Sequence, residues 1–299
     1  MIVVAPALAP LPRLLYEPIV RAALVEDLGL GGDITSEATV RAGLRATATL
    51  TSRAPGVLAG LDVACEAFRL LDPDARIDAA AHDGETLAAG TRIAEIACDA
   101  RALLGAERTA LNLLSHLSGI ATATARYVAA AAGRAAICET RKTLPGLRAL
   151  QKYAVRAGGG ANHRLRLDDA ILIKDNHVAL AGGVTAALDG AFARAGHLVK
   201  IEIEVDTLEQ LDEVLAHPRG AHAILLDNFT TEKLVEAVRR ARGRALLEAS
   251  GGITLETVAA VAATGVDVIS VGALTHSVVA LDIGLDVRED SDVNQPPPR

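Results

Sequence analysis

The chain has no tryptophan, and only three phenylalanines and three tyrosines in 299 residues. That shortage excludes the aromatic platforms on which single-stranded nucleic acid stacks, and it leaves alanine, valine and leucine to build the core. Cysteine is as scarce. Cys65, Cys98 and Cys138 are odd in number, far apart and without a CxxC pair. Neither a disulfide framework nor a structural zinc site is expected, and a reducing, cytoplasmic location fits. Basic charge is in deficit, with 30 Lys and Arg against 37 Asp and Glu and a formal net charge of −7. A general nucleic-acid binder would show the opposite balance. No uninterrupted apolar run reaches the roughly 18 residues of a membrane span. The opening MIVVAPALAPLPRLL is apolar but lacks a basic start and carries three prolines, so residues 1–12 read as an arm rather than a signal peptide. Pro296-Pro297-Pro298 marks residues 291–299 as a disordered tail.

What is present is ample apolar material, 51% of residues, with 22% charged, the balance of an ordinary globular chain. The two halves differ in rhythm. From about 37 to 100, short β-like runs (46–50, 56–59, 91–97) are broken by turn signals at Pro55-Gly56 and Asp83-Gly84. A further break, Gly29 to Asp33, offers Asp33 or Ser36 as a helix cap. Residues 107–132 form a long alanine-rich helical stretch with Leu111, Leu113, Leu114 and Leu117 on one broad face. Beyond it, apolar strands are expected at 135–140, 170–174, 199–205, 223–227, 245–249 and 266–271. Helices are expected at 146–157, 180–196, 207–216, 230–242 and 254–264. Alternation of this kind argues for parallel strands with right-handed crossovers. The expected organisation is an N-terminal α/β domain over 1–115, joined by the segment 278–290, and an α/β barrel over 116–277.

The strand ends choose between a barrel and a doubly wound sheet. Lys200 to Val205 alternates strictly, with Lys200, Glu202 and Glu204 on one face and Ile201, Ile203 and Val205 on the other. A charged face is costly in a sheet covered by helices on both sides. In a barrel that face points to the axis, where polar groups at the carboxyl ends of strands serve a site. The same alternation pairs Glu139 with Arg141 and Glu248 with Ser250. An incomplete (β/α) barrel with fewer than eight strands is the expected fold of this half.

The densest chemical signal runs from Glu139 to Arg166, with Arg141, Lys142, Arg148, Lys152, Arg156, His163, Arg164 and Arg166. A substrate with several negative charges accounts for such a cluster in an acidic chain, because arginine forks bind carboxylates and phosphates through two hydrogen bonds. Arg148, Lys152 and Arg156 also sit at helical spacing, where a merely solvated face is the plainer reading. Arg141 and Lys142 follow a strand directly and carry the functional one. Lys174 ends a wholly apolar strand, which leaves two roles for it, Schiff-base nucleophile or anion clamp. Glu204 and Asp227 each close a strand. A carboxylate pair there could bind a divalent cation through waters, hold ribose hydroxyls or stabilise a cationic transition state. Ser250-Gly251-Gly252 and Gly272-Ala273 follow the last two strands and could cradle a phosphate on backbone N–H groups.

These stretches together resemble the nicotinate-nucleotide diphosphorylase (carboxylating), or quinolinate phosphoribosyltransferase, family. The resemblance is carried by Glu26-Asp27-Leu28-Gly29 with Gly32-Asp33-Ile34-Thr35, by Glu107-Arg108-Thr109-Ala110-Leu111-Asn112, and by Ser118-Gly119-Ile120-Ala121-Thr122. It continues through Thr140-Arg141-Lys142-Thr143 with Pro145-Gly146, His163-Arg164, Lys174-Asp175-Asn176-His177, Glu202-Ile203-Glu204-Val205, Leu226-Asp227-Asn228-Phe229, Ser250-Gly251-Gly252-Ile253 and Val271-Gly272-Ala273. It spans about residues 15 to 287.

The resemblance implies an N-terminal α/β sandwich domain, an incomplete α/β barrel and a homodimer. It implies that quinolinate and phosphoribosyl diphosphate react, with magnesium (Mg2+) bound to substrate, to give nicotinate mononucleotide, carbon dioxide and diphosphate in NAD synthesis. Carried over by position, Thr140, Arg141, His163 and Arg164 hold quinolinate, with Arg108 donated across the subunit interface. Lys142 and Lys174 face both substrates. Glu204 and Asp227 address the ribose and magnesium side, Ser250, Gly251, Gly252, Val271, Gly272 and Ala273 take the 5′-phosphate, and His276 is a further substrate-binding residue. The chain departs from the family's HRxGLYD pattern, since Arg166 and Asp168 replace its Gly and Tyr. Arg166 could pair with Asp168 or line the pocket mouth. Two extra residues in the Ala216–Gly220 connection look like a loop change. Rival readings are a Schiff-base lyase using Lys174, a paralogue acting on another base, of the kind found beside molybdate transporters, and a silent phosphate-binding sensor.

Overall fold

The structure, a computed structural model, describes residues 8–288. The first residues of the apolar arm and the proline-rich tail lie outside that range. Helices α1 (Arg13–Leu28) and α2 (Ile34–Thr39) open the chain, followed by β1 (Arg45–Ser52), β2 (Gly56–Val57), α3 (Leu61–Leu71), β3 (Arg76–Ala79), β4 (Thr86–Leu87) and β5 (Arg92–Asp99). The long helix α4 (Ala100–Ala131) leads to β6 (Ala136–Cys138), α5 (Arg148–Ala157), β7 (Ile171–Ile173), α6 (Asp175–Ala181) and α7 (Val184–Arg194). The remainder is β8 (Ile201–Val205), α8 (Leu208–Ala216), β9 (Ala223–Asp227), α9 (Thr231–Ala241), β10 (Leu246–Ser250), α10 (Val258–Ala262), β11 (Val268–Ser270), α11 (Ala273–His276) and β12 (Ile283–Arg288).

Two compact units emerge. One takes residues Leu8–Thr122, Pro145–Gly158 and, of the described residues, Val278–Arg288. Its antiparallel sheet has the order β12-β1-β5-β3, with Leu50 of β1 opposite Leu285 of β12 and Ala94 of β5. Asp33 is the α2 cap, accepting from the backbone N–H groups of Thr35 and Ser36. Asp83 caps α3 through Gly60 and Leu61 N–H, and the Tyr153 hydroxyl of α5 donates to the same carboxylate at 2.7 Å. Gly119 of α4 is there for close approach: a Cβ at that position would lie 2.3 Å from the Val279 carbonyl oxygen. The contact lets Leu281 N–H reach the Ser115 carbonyl at 2.9 Å. Arg148, Lys152 and Arg156 do not form a solvated face. Lys152 is only 3% exposed and the other two are half-buried, because α5 turns Leu150, Ala154 and Val155 fully into this unit's core.

The other unit takes Ala123–Leu144 and Gly159–Ser277. Six parallel strands run in the order β6-β11-β10-β9-β8-β7. Short apolar strands between amphipathic helices produce this arrangement: Ile201, Ile203, Val205, Ile224 and Leu226 are fully buried, as are Leu211, Val214 and Ala237 on the helices. The two end strands, β6 and β7, do not pair with each other. The segment after α5 lies alongside β6 instead, with Ala161 N–H donating to the Ile137 carbonyl at 2.7 Å and Ala161 bridging Cys138. The single helix expected over 180–196 is two, because Gly182 and Gly183 take φ of +91° and +130° and end the first helix in a left-handed turn. The helix expected over 254–264 is shorter, with residues 255–257 forming a turn before α10.

Among the described residues no helix is long and apolar enough to cross a membrane. Cys65, Cys98 and Cys138 are all buried and none forms a disulfide among the described residues, and burial pushes the Cys65 thiol up to about 12 and the Cys98 thiol to about 11.

Candidate active site

The carboxyl ends of the six parallel strands converge on one cavity of about 350 Å³. Thr140, Arg141 and Lys142 reach it from the loop after β6, Leu172 from β7 and Glu204 from β8. Leu225 and Asp227 come from β9, Glu248 and Ser250 from β10, and Ser270 from β11, with His163 and Arg164 contributed by the segment beside β6. The period-2 alternation of the strands explains the choice of residues. Within β9 and β10, Leu225 and Asp227, and Glu248 and Ser250, stand two apart and share the inward face.

The cationic side is built from two arginines and two lysines. Arg164 Nη1 donates to the Ala170 carbonyl at 3.0 Å, while the Nε atoms of Arg141 and Arg164 are both buried and without a hydrogen-bond partner among the described residues. Burial, and then the charge of Arg141, lowers the pKa of Arg164, and Glu202 and Asp169 only partly oppose that shift. Two guanidinium groups that repel each other and retain unused donors are prepared for an anion. Lys142 N–H donates to Thr140 Oγ1 at 3.0 Å, and the Thr275 hydroxyl donates to the Lys142 carbonyl at 2.7 Å. These two bonds hold the turn that presents the Lys142 side chain.

On the acidic side, Lys174 Nζ is 2.5 Å from Glu204 Oε2, with Glu204 buried and Lys174 about half exposed. This ion pair ties the Lys174 side chain to a carboxylate that lines the same cavity. Asp227 accepts from Asn228 Nδ2 at 2.7 Å. Its pKa is raised, first by burial and then by the charges of Glu204 and Asp206, with Lys174 and Lys142 opposing. His163 is held from both sides. Its backbone N–H donates to buried Glu139 at 3.2 Å, Asn162 Nδ2 donates to the same carboxylate at 3.0 Å, and its Nε2 lies 3.1 Å from Glu202 Oε2.

Of the residues singled out in the sequence, the structure brings Thr140, Arg141, Lys142, His163, Arg164, Lys174, Glu204, Asp227 and Ser250 into this cavity. Gly251, Gly252, Val271, Gly272, Ala273 and His276 lie outside its lining, in the loops at the ends of β10 and β11. Gly272 packs beside Lys142, Thr140 and His276. Arg108 is elsewhere, on α4 in the other unit, with its side chain 71% exposed and 3.1 Å from Glu107. Arg166 pairs with Asp168 at 3.4 Å and is not part of the lining. Glu248 and Ser270 are cavity residues that the motifs did not single out. For Glu248 the sequence signal was its place on the same strand face as Ser250.

The family model described as quinolinate phosphoribosyl transferase, C-terminal domain, matches residues 120–286, and that for the N-terminal domain matches residues 33–118. The chain belongs to the quinolinate phosphoribosyl transferase family. The nicotinate-nucleotide pyrophosphorylase [carboxylating] of Mycobacterium leprae is 53% identical over 277 residues, covering 90% of this chain and 95% of that protein. A probable enzyme of the same name from Bacillus subtilis is 45% identical, covering 88% and 90%. The structure of the nicotinate-nucleotide pyrophosphorylase from Francisella tularensis superimposes with a TM-score of 0.88 at 40% identity, covering 93% of this chain and 98% of that one. The quinolinate phosphoribosyl transferase fold, an N-terminal sheet domain with a parallel-strand α/β domain, is therefore the fold of this chain.

Proposed function

We propose that this cavity transfers the phosphoribosyl group of phosphoribosyl diphosphate to quinolinate with loss of carbon dioxide, giving nicotinate mononucleotide and diphosphate in NAD synthesis. Residues 116–277 are the catalytic part in this reading. The supporting observation is the paired Arg141 and Arg164 guanidinium groups with unused buried donors, in one cavity with Lys142, Lys174, Glu204 and Asp227. Relatives named quinolinate phosphoribosyltransferase [decarboxylating] point to the same chemistry.

Arg141, Arg164, Thr140 and His163 hold the two carboxylates of the pyridine diacid. Lys142 and Lys174 draw negative charge away from the departing diphosphate. Glu204 and Asp227 stand where positive charge develops on the sugar's anomeric carbon, and they steady it as the pyridine nitrogen attacks. The positive charge on the pyridinium nitrogen then stabilises the electron pair left on C2 when the 2-carboxylate leaves as carbon dioxide. Positioning and electrostatics supply the catalysis, and no covalent nucleophile is required. The loops at 250–252 and 271–273, with His276, take the 5′-phosphate.

A divalent cation fits the acidic side. Glu204 and Asp227 offer oxygen donors of the type hard cations prefer, and the upward shift of Asp227 caused partly by Glu204 is the repulsion a cation relieves. Magnesium carried by the diphosphate, held through waters, would supply charge neutralisation to the leaving group. The reading includes a cytoplasmic homodimer in which Arg108 of the partner subunit completes the diacid site. The decisive assay combines the protein with quinolinate, phosphoribosyl diphosphate and magnesium. Carbon dioxide and nicotinate mononucleotide must appear together, and the absence of both overturns the proposal.

A further inference from the structure

Glu248 on β10 is 4% exposed, and it sits between two cavities. Above it is the 350 Å³ cavity at the strand carboxyl ends. Below it is a second cavity of about 590 Å³, lined by the amino-terminal starts of the strands, Ala136, Ile171, Ile201, Ala223, Leu246 and Val268. His163, Arg164 and Glu248 line both, whereas Glu202 lines only the lower one. Among the described residues Glu248 Oε1 has no hydrogen-bond partner. His163 Nε2 lies 3.7 Å from that oxygen.

The imidazole has one arrangement available. His163 Nδ1 accepts the Arg164 backbone N–H at 2.8 Å, so the ring proton is on Nε2, which faces Glu202 Oε2 at 3.1 Å. With that nitrogen protonated, the ring has no lone pair to give a cation. The trio His163, Glu202 and Glu248, whose donor atoms lie within 4.8 Å of one another, is thus a proton site rather than a metal site. A buried carboxylate and a part-buried one around one N–H cannot both remain charged cheaply. Burial and then the charge of Glu202 on β8 raise the pKa of Glu248, and His163 and Ser270 of β11 act against that rise. The other charged groups facing the upper cavity are Arg141, Lys142, Arg164, Lys174, Glu204 and Asp227.

We propose that Glu248 is the proton donor that completes the decarboxylation. When the bond from ring C2 to its carboxylate breaks, carbon dioxide leaves and the electron pair stays on C2 beside the pyridinium nitrogen. The Glu248 O–H bond then breaks and its proton passes to C2, leaving a carboxylate that regains a proton from water in the lower cavity. A neutral Glu248 also spares the bound dianion a third nearby negative charge. The inference rests on the reaction proposed above, and it adds to that reaction the origin of the proton that replaces the lost carboxylate.

The test is a single-turnover experiment on wild type and Glu248→Gln, following diphosphate and nicotinate mononucleotide separately. The glutamine keeps the shape and a donor but cannot give up a proton. Diphosphate release within about fivefold of wild type, with mononucleotide formation at least about 100-fold slower, is the expected result. Wild type should also form mononucleotide more slowly relative to diphosphate as pH rises, and the variant should show no such trend. Equal slowing of both products, or mononucleotide formation at the wild-type rate, overturns the proposal. Should the variant fail to fold, a pH-independent product ratio in wild type overturns it equally. A wild-type protein that releases no diphosphate refutes the reaction itself, and not this assignment alone.

Discussion

Replacing Arg141 by alanine separates activity from stability in a way few substitutions do. Arg141 lines the cavity, carries a buried Nε with no partner among the described residues, and lowers the pKa of neighbouring Arg164 through its charge. Before substrate arrives, this side chain therefore contributes repulsion and an unsatisfied donor. In the proposed reaction it contributes, on binding, a charge-assisted clamp on a carboxylate. Loss of one such electrostatic donor costs about 2–4 kcal/mol of transition-state stabilisation, a fall of about 30- to 900-fold in kcat/KM for quinolinate. Thermal stability should fall by less than about 2 °C or rise, since no hydrogen bond to the missing Nε is lost and a like charge is removed. Steady-state kinetics with varied quinolinate and a calorimetric melt on the same preparation test both halves. A kcat/KM within threefold of wild type refutes the clamp. A melting point lower by about 5 °C or more refutes the argument that the site stores repulsion.

The other predictions concern different links of the same chain. Gly119→Ala drives a Cβ to 2.3 Å from the Val279 carbonyl oxygen, so a urea titration should show about 1–3 kcal/mol of lost stability, and an unchanged midpoint would contradict the packing. Asp227→Asn removes a carboxylate whose pKa the fold raises. A group shifted upward destabilises the folded protein above its folded pKa and ceases to do so below the unfolded value, so the variant should melt higher than wild type near pH 8 and show no gain near about pH 3. Its kcat should fall about 100-fold, and wild-type activity should decline on acidification as Asp227 is protonated. Mixing Arg108→Ala with Lys174→Ala, each inactive alone, should restore activity in mixed dimers if Arg108 of the partner subunit serves the site, and no recovery would remove that assignment.

Much of this is legible in the sequence. The alternation in Lys200 to Val205 separated a buried face of Ile201, Ile203 and Val205 from an inward face of Glu202 and Glu204, which is how the strand sits. Asp33 announced its helix. Other features depend on which surfaces meet, and no local pattern carries that. Lys152 at helical spacing with Arg148 and Arg156 reads as solvated, yet it is buried because α5 lies among residues of the first unit. The trio of His163, Glu202 and Glu248 comes from three separated segments, with no spacing in the chain to announce it. The break at Gly182-Gly183 was visible as a glycine pair, but helical periodicity on either side concealed its effect.

That β6 and β7 do not pair with each other has a consequence for how this protein could be changed. Because those two staves never meet, a stretch of irregular backbone enters the seam and carries His163 and Arg164 to the axis. A closed ring of strands would have no such entrance. In the proposed reaction, recognition of the acceptor is thus partly housed in residues 161–170, which belong to none of the six strands and could be exchanged without re-registering them.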